Sequence, residues 1–470
     1  MITAKPFEEP RIELQQDTES VNELRPRAKF SFLFVCLFTV AIYARPEDVF
    51  PSIGSLHLTF LLGICAGASF LWALLLGDVS LTWPAELRLV LLLTVWFAAG
   101  VPFAYWRGGS FIVLMQIWLK TALIFFLLTQ TLVTLKRIRY VLWAIILSEL
   151  AVTAYSLAAP SQMTWKTCLG CDSGSIGERM VGVNQGFLYW NALGIALGMI
   201  IPYMAALFIS RPSTLRTALL AAAIASMSWM QVLTASRSGT LVVAFSVLLT
   251  SLVVARGSPR GSVVRAVTIL ALIVTICLAP AVFWQRIATI IEADSASANA
   301  VQASADLSKQ ERFTLLMRSA TYTLEHPLFG LGLGNFDVVN GTELAEPAAW
   351  IGSHNTYTQI SSEAGVPALL LFLALLGTVL RNMKRVMRAT IDDPQSIELN
   401  LMARATFVSL LAFMLGAFFA HKGYDYFLYA GPIAVAVGVH HIAATGRAVG
   451  ASTDRNLVSQ PQHLNPGWTL

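Results

Sequence analysis

The stretch Leu56–Leu76, LHLTFLLGICAGASFLWALLL, runs for 21 residues without a Lys, Arg, Asp or Glu. An α-helix rising about 1.5 Å per residue needs about 20 apolar residues to cross the hydrocarbon core of a bilayer, so this segment is long enough to span one. Comparable runs precede and follow it: Phe30–Tyr43, Leu87–Tyr105, Phe111–Leu132, Tyr140–Ala158, Gln185–Phe208, Leu215–Thr234, Thr240–Ala255, Val264–Phe283, Val366–Leu380, Thr406–Ala420 and Tyr424–Ile442. The expected fold is all-α, a polytopic membrane bundle of about twelve transmembrane helices, of which the first, tenth and eleventh are short.

Composition points the same way. The chain is 56% hydrophobic and 13% charged, with mean hydropathy +0.65, whereas soluble domains carry about 25% charged residues. No polar block is large enough for a separate soluble domain. The net charge of +5 is scattered over short connectors. A nucleic-acid protein would gather it on one face among aromatic residues, so the expected surroundings are a lipid bilayer and no nucleic acid.

Lys and Arg set the orientation. Arg25, Arg27 and Lys29 precede the first span. Alternate later connectors carry Lys136, Arg137 and Arg139; Arg211 and Arg216; Arg256, Arg260 and Arg265; and Arg381, Lys384, Arg385 and Arg388. The opposite connectors carry single basic residues, as at Arg45 beside Glu47 and Asp48. The predicted organisation is a cytoplasmic segment 1–29, helices one to nine over 30–283, a large extracytoplasmic loop 284–365, helices ten to twelve over 366–443, and a disordered cytoplasmic tail 444–470. The first span lacks a small-residue cleavage site and is expected to remain as an anchor. Cys168 and Cys171 form a lone C-x-x-C in a polar connector. Without a second pair zinc is disfavoured, and an oxidising compartment would permit a disulfide.

The long loop concentrates the residues suited to chemistry. Phe313, Leu316, Ala320 and Leu324 share a helical face, and Arg312 and Arg318, six positions apart, point to different faces. Gly330, Gly332 and Gly334 follow His326-Pro327; no strand-to-helix unit surrounds them, so they predict a tight backbone turn and not a nucleotide loop. His354 opens the helix into the tenth span. A lone histidine is more often structural, but near a helix N-terminus its ring is kept neutral and able to take a proton. Arg237, in Ala235-Ser236-Arg237-Ser238-Gly239, lies at the same outer side. A snorkelling interfacial arginine is the plainer reading, and a clamp on phosphate oxygens is the functional one. Within the bilayer, Lys120 and Glu149 fall at similar depth and predict a structural ion pair between the fourth and fifth helices.

Taken together, these motifs resemble the O-antigen ligase and O-antigen polymerase superfamily, membrane glycosyltransferases of the GT-C type. The resemblance rests on Ser236-Arg237-Ser238-Gly239 at a helix start, Arg312-x-x-x-Leu316, Glu325-His326-Pro327-Leu328-Phe329-Gly330 through Gly334-Asn335-Phe336, and His354-Asn355 with Glu363 and Gly365. It implies transfer of a glycan from a polyprenyl-diphosphate carrier to a lipid, glycan or protein acceptor, at the periplasmic face of a bacterial inner membrane. It further implies inversion at the anomeric centre and no cofactor or metal. Carried over by position, Arg237 and Arg312 would bind the diphosphate and His354 would activate the acceptor hydroxyl, with Asn355, Glu363, Gly365 and Arg318 in support. The competing reading is a transporter or flippase of lipid-linked oligosaccharide, which would show discontinuous helices and a midplane site.

Overall fold

The computed structural model describes residues 26–158, 190–234, 236–258, 260–279, 284, 300–345 and 350–458, and no strand occurs among them. Cys168 and Cys171 lie outside the described residues. The helices are α1 (Pro26–Ala44), α2 (Leu58–Leu75), α3 (Ala85–Gly100), α4 (Arg107–Thr131), α5 (Leu135–Ala158), α6 (Trp190–Ser210) and α7 (Thr214–Thr234). They continue with α8 (Arg237–Val254), α9 (Gly261–Leu278), α10 (Ala300–Glu325), α11 (Phe336–Leu344), α12 (Thr356–Ala389), α13 (Ile397–Gly416) and α14 (Ala434–Val458). Eleven helices among the described residues are long and apolar enough to cross a membrane. The 18-residue α9 stands where the ninth span was expected. The chain is an all-α, multi-pass membrane protein.

The bundle is organised around α6. Of its membrane-length window 94% is buried, against 28% for α2, so α6 is central and α2 peripheral. Small residues let the neighbours of α6 approach. A Cβ on Gly194 would lie 2.3 Å from Gly239 Cα, and one on Gly198 would lie 2.8 Å from Val242. The Ser246 hydroxyl donates to the bared Gly198 carbonyl at 2.5 Å. In lipid, where burying apolar surface gains little, such close packing and interhelical hydrogen bonds hold helices together.

The basic alternation corresponds to geometry. Arg139 and Arg211 both pair with Glu398, and the Arg404 guanidinium donates to the Arg256 carbonyl at 2.8 Å. The connectors rich in Lys and Arg therefore meet at one end of the bundle.

At the other end, α12 is broken, and the break seats the glycine turn. Gly365 has φ 82° and Pro367 has no N–H, so the carbonyls of Ser362 and Glu363 lose their helical donors. They accept instead from Leu331 N at 2.8 Å and Gly332 N at 2.9 Å, while Val366 N donates to Pro327 O at 2.8 Å. The Trp96 indole satisfies the Ala364 carbonyl at 2.9 Å. Phe329 is stacked between Trp96 and Phe103, at 5.0 and 4.7 Å. Gly330, Gly332 and Gly334 all have positive φ, as the tight-turn reading requires.

Four expectations are corrected. Lys120 is exposed, whereas Glu149 is fully buried with no hydrogen-bond partner on either carboxylate oxygen among the described residues, so the pair does not form. Depth arithmetic does not fix azimuth, and a π turn at Leu114–Trp118 rotates α4 just before Lys120. On α10 the residues Phe313, Leu316, Ala320 and Leu324 do share a face, as their spacing predicts, and that face is exposed while Leu315, Ser319 and Tyr322 are buried. The tenth span is not short: α12 has 34 residues. The eleventh begins earlier than its hydropathy suggests, because its polar first turns are satisfied inside the bundle, as where Asn400 donates to Met387 O at 2.9 Å and Thr390 Oγ1 at 2.8 Å. Finally, the segment expected to be disordered after Ala444 continues as helix to Val458.

Candidate active site

Three polar segments converge at the end of the bundle that carries the glycine turn. The first is the start of α8. Ser236 caps the helix, its hydroxyl accepting from Gly239 N at 3.2 Å. A Cβ on Gly239 would lie 2.4 Å from the Gln231 amide, which itself donates to Ser236 O at 3.4 Å. Serine and glycine thus fix the helix start, and Arg237 occupies its first turn, half-buried, where the positive end of the helix dipole adds to its own charge.

The second is α10, which brings Arg312 to the same place. Burial, and next the positive charge of Arg237, lower the pKa of the Arg312 guanidinium, with Glu311 opposing. Among the described residues Arg312 forms no ion pair. The Arg237 charge nearby disfavours the protonated Arg312 guanidinium, and an anion bound beside Arg312 would offset that.

The third is the start of α12. Asn355 caps it by accepting from Tyr357 N at 2.9 Å and Thr358 N at 3.1 Å. His354, just before the cap, has φ 52°, a left-handed conformation that costs a residue with a side chain on the order of 1–3 kcal/mol. Burial first, and then the Arg312 charge, push its pKa down to about 4. The ring is therefore neutral near pH 7 and has a lone pair to offer. Arg237, Arg312 and His354 are brought together; each perturbs the next.

The supporting candidates separate. Asn355 shapes the backbone. Glu363 and Gly365 belong to the break in α12, where the Glu363 carboxylate accepts from Gly334 N at 2.9 Å. Arg318 faces away and pairs with Glu343, while the Tyr322 hydroxyl donates to the same carboxylate at 2.6 Å, tying α10 to α11.

One residue escaped the sequence reading. His421, in the connector Ala420-His421-Lys422-Gly423-Tyr424-Asp425 between α13 and the last span, sets its ring 5.3 Å from that of His354, at an interplanar angle of 65°. Burial, His354 and Lys422 push its pKa down to about 3. The signal was available: a polar connector with a histidine, falling on the same side as the long loop in the alternation.

Below this cluster, α6 to α9 line an open apolar cavity of about 280 Å³, bordered by Phe208, Leu220, Val243, Val247 and Val264, with Gln231 and Thr240 among its polar residues. The Gln231 amide oxygen is buried and has no hydrogen-bond partner among the described residues.

Residues 222–373 match the family described as O-Antigen ligase, a segment that includes Arg237, Arg312, Glu363 and His354. A search of curated proteins found no match.

Proposed function

The chain is a member of the O-antigen ligase superfamily, and from that premise we propose that it is a glycosyltransferase moving a glycan from a polyprenyl-diphosphate carrier to an acceptor hydroxyl at the outer face of a bacterial inner membrane. The observation that carries this reading is that Arg312 stands near both Arg237 and the neutral imidazole of His354. Arg237 and Arg312 bind the diphosphate through paired donors and neutralise the charge that grows on it as it leaves. His354 accepts the proton of the acceptor hydroxyl. The new bond forms between acceptor oxygen and anomeric carbon. The bond from that carbon to the diphosphate oxygen breaks with its electron pair on the diphosphate, and the proton stays on His354 until it passes to water. A single displacement of this kind inverts the anomeric centre, and the arginines supply the charge neutralisation for which other diphosphate enzymes use a metal ion.

The cavity between α6 and α9 suits the carrier's hydrocarbon chain. Thr240 follows Arg237 by one turn on α8, and the Gln231 amide lies against Gly239 in that same turn, which suits a chain in the cavity with its diphosphate near Arg237. The exposed stripe of Phe313, Met317 and Leu324 on α10 suits the bilayer interface beside it. A flippase would be favoured by a broken helix lining a midplane site. The break in α12 instead lies at the end of the bundle and is filled by the glycine turn, which favours the enzyme.

The test is His354→Ala. It should abolish glycan transfer while the protein remains at its normal level in the membrane; transfer at the wild-type rate rejects the base assignment. In a deletion strain, loss of polymer length with attachment retained identifies a polymerase, and accumulation of unattached carrier-bound polymer identifies a ligase.

A further inference from the structure

His421 lies 48 residues beyond the end of the matched segment, yet the fold builds its position around His354. Thr356, two residues after His354, ties down the backbone on both sides of His421. Its hydroxyl donates to Ala420 O at 2.6 Å and accepts from Lys422 N at 3.0 Å, while Thr356 N donates to Ala417 O at 2.7 Å. One turn later, Gln359 accepts from Gly423 N at 3.1 Å. Gly352, two residues before His354, receives the ring itself: a Cβ there would lie 2.8 Å from the His421 imidazole. Segment 352–356 and connector 417–423 are thus locked together, and the two imidazoles meet edge to face between them. His354 needs such a support. Its left-handed backbone is a conformation that persists only where the surroundings enforce it.

We infer that His421 is a positioning residue for the base His354, its ring forming the wall that turns the His354 imidazole towards the acceptor hydroxyl. The inference rests on the reading of His354 as the base. The arrangement has the logic of a base oriented by a third group, with a neutral ring as the orienter.

The experiment uses the full chain in native membrane vesicles, which bring their own acceptor. A radiolabelled polyprenyl-diphosphate glycan extracted from the same cells is added, and release of polyprenyl diphosphate is followed across donor concentrations. His421→Ala should lower kcat by about 10–100-fold, the cost of a misplaced catalytic group, with KM for the donor unchanged. His421→Phe keeps a ring edge at the same place and should restore most of kcat. Gly352→Ala pushes the ring from the other side and should lower kcat without changing His421 at all. Wild-type turnover in both His421→Ala and Gly352→Ala overturns the inference. So does a loss that appears in KM alone, or a His421→Phe variant as slow as His421→Ala. His354→Ala in the same vesicles separates the two levels: if that variant still transfers glycan, the base reading itself has failed.

Discussion

Arg312 and Arg318 sit on one helix, six residues apart, and the structure gives them different partners. Arg312 turns towards Arg237 and His354, while Arg318 holds Glu343. Arg312→Ala should therefore weaken binding of a polyprenyl diphosphate by about 10–100-fold, the value of losing hydrogen bonds to a charged group at about 1.5–3 kcal/mol. Arg318→Ala should leave that binding unchanged, and titration of the two variants with the same donor checks both. The imidazole gives a pH prediction. His354, with its pKa near 4, is neutral through the ordinary range, so transfer should persist as the pH falls towards 4 and decline below it as the ring protonates. An acidic limb near 6.5 would contradict this. Stability has a wider window. The unfolded histidine takes a proton near 6.5 and the folded one near 4, so the unfolded state binds more protons between them, and folding stability should fall as pH drops through that interval. Thermal denaturation at pH 7 and pH 5 reads it.

The elements that matter most are the ones that break. Gly365 interrupts α12 so that two of its carbonyls can bind the glycine turn, and a Cβ there would lie 2.0 Å from Leu328 O. Gly365→Ala adds that overlap to a left-handed strain of about 1–3 kcal/mol. It should release the 326–335 turn from α12 and expose it to proteolysis, which limited digestion of membranes detects. The tight turn at Gly330, Gly332 and Gly334 was legible from the glycine spacing and the absence of a strand before it. The exposed and buried faces of α10 were not. Periodicity says which residues share a face, and Tyr322 with Glu343 decides which face is buried. The paired Lys120 and Glu149 failed for a similar reason: equal depth places two residues on one level, and only the rotation of each helix decides whether they meet.

At the scale of the whole molecule, the proposal places the carrier's hydrocarbon chain in the cavity lined by α6 to α9 and its diphosphate at Arg237 and Arg312. Ala244 is among the residues lining that cavity, and Ala244→Phe should fill part of it. Binding of long polyprenyl diphosphates should weaken, with inorganic diphosphate unaffected; equal effects on both would place the chain elsewhere. The sequence by itself determined the membrane class, the all-α bundle and which connectors share an end, and it singled out Arg237, Arg312 and His354 as candidates. These are written in hydropathy, in charge alternation and in local motifs, each read from neighbouring residues. Only the tertiary structure decided that the three residues meet, that Arg318 does not join them, and that His421 does. Those outcomes depend on how separate helices are rotated and stacked, and that is settled by packing between segments far apart in the sequence.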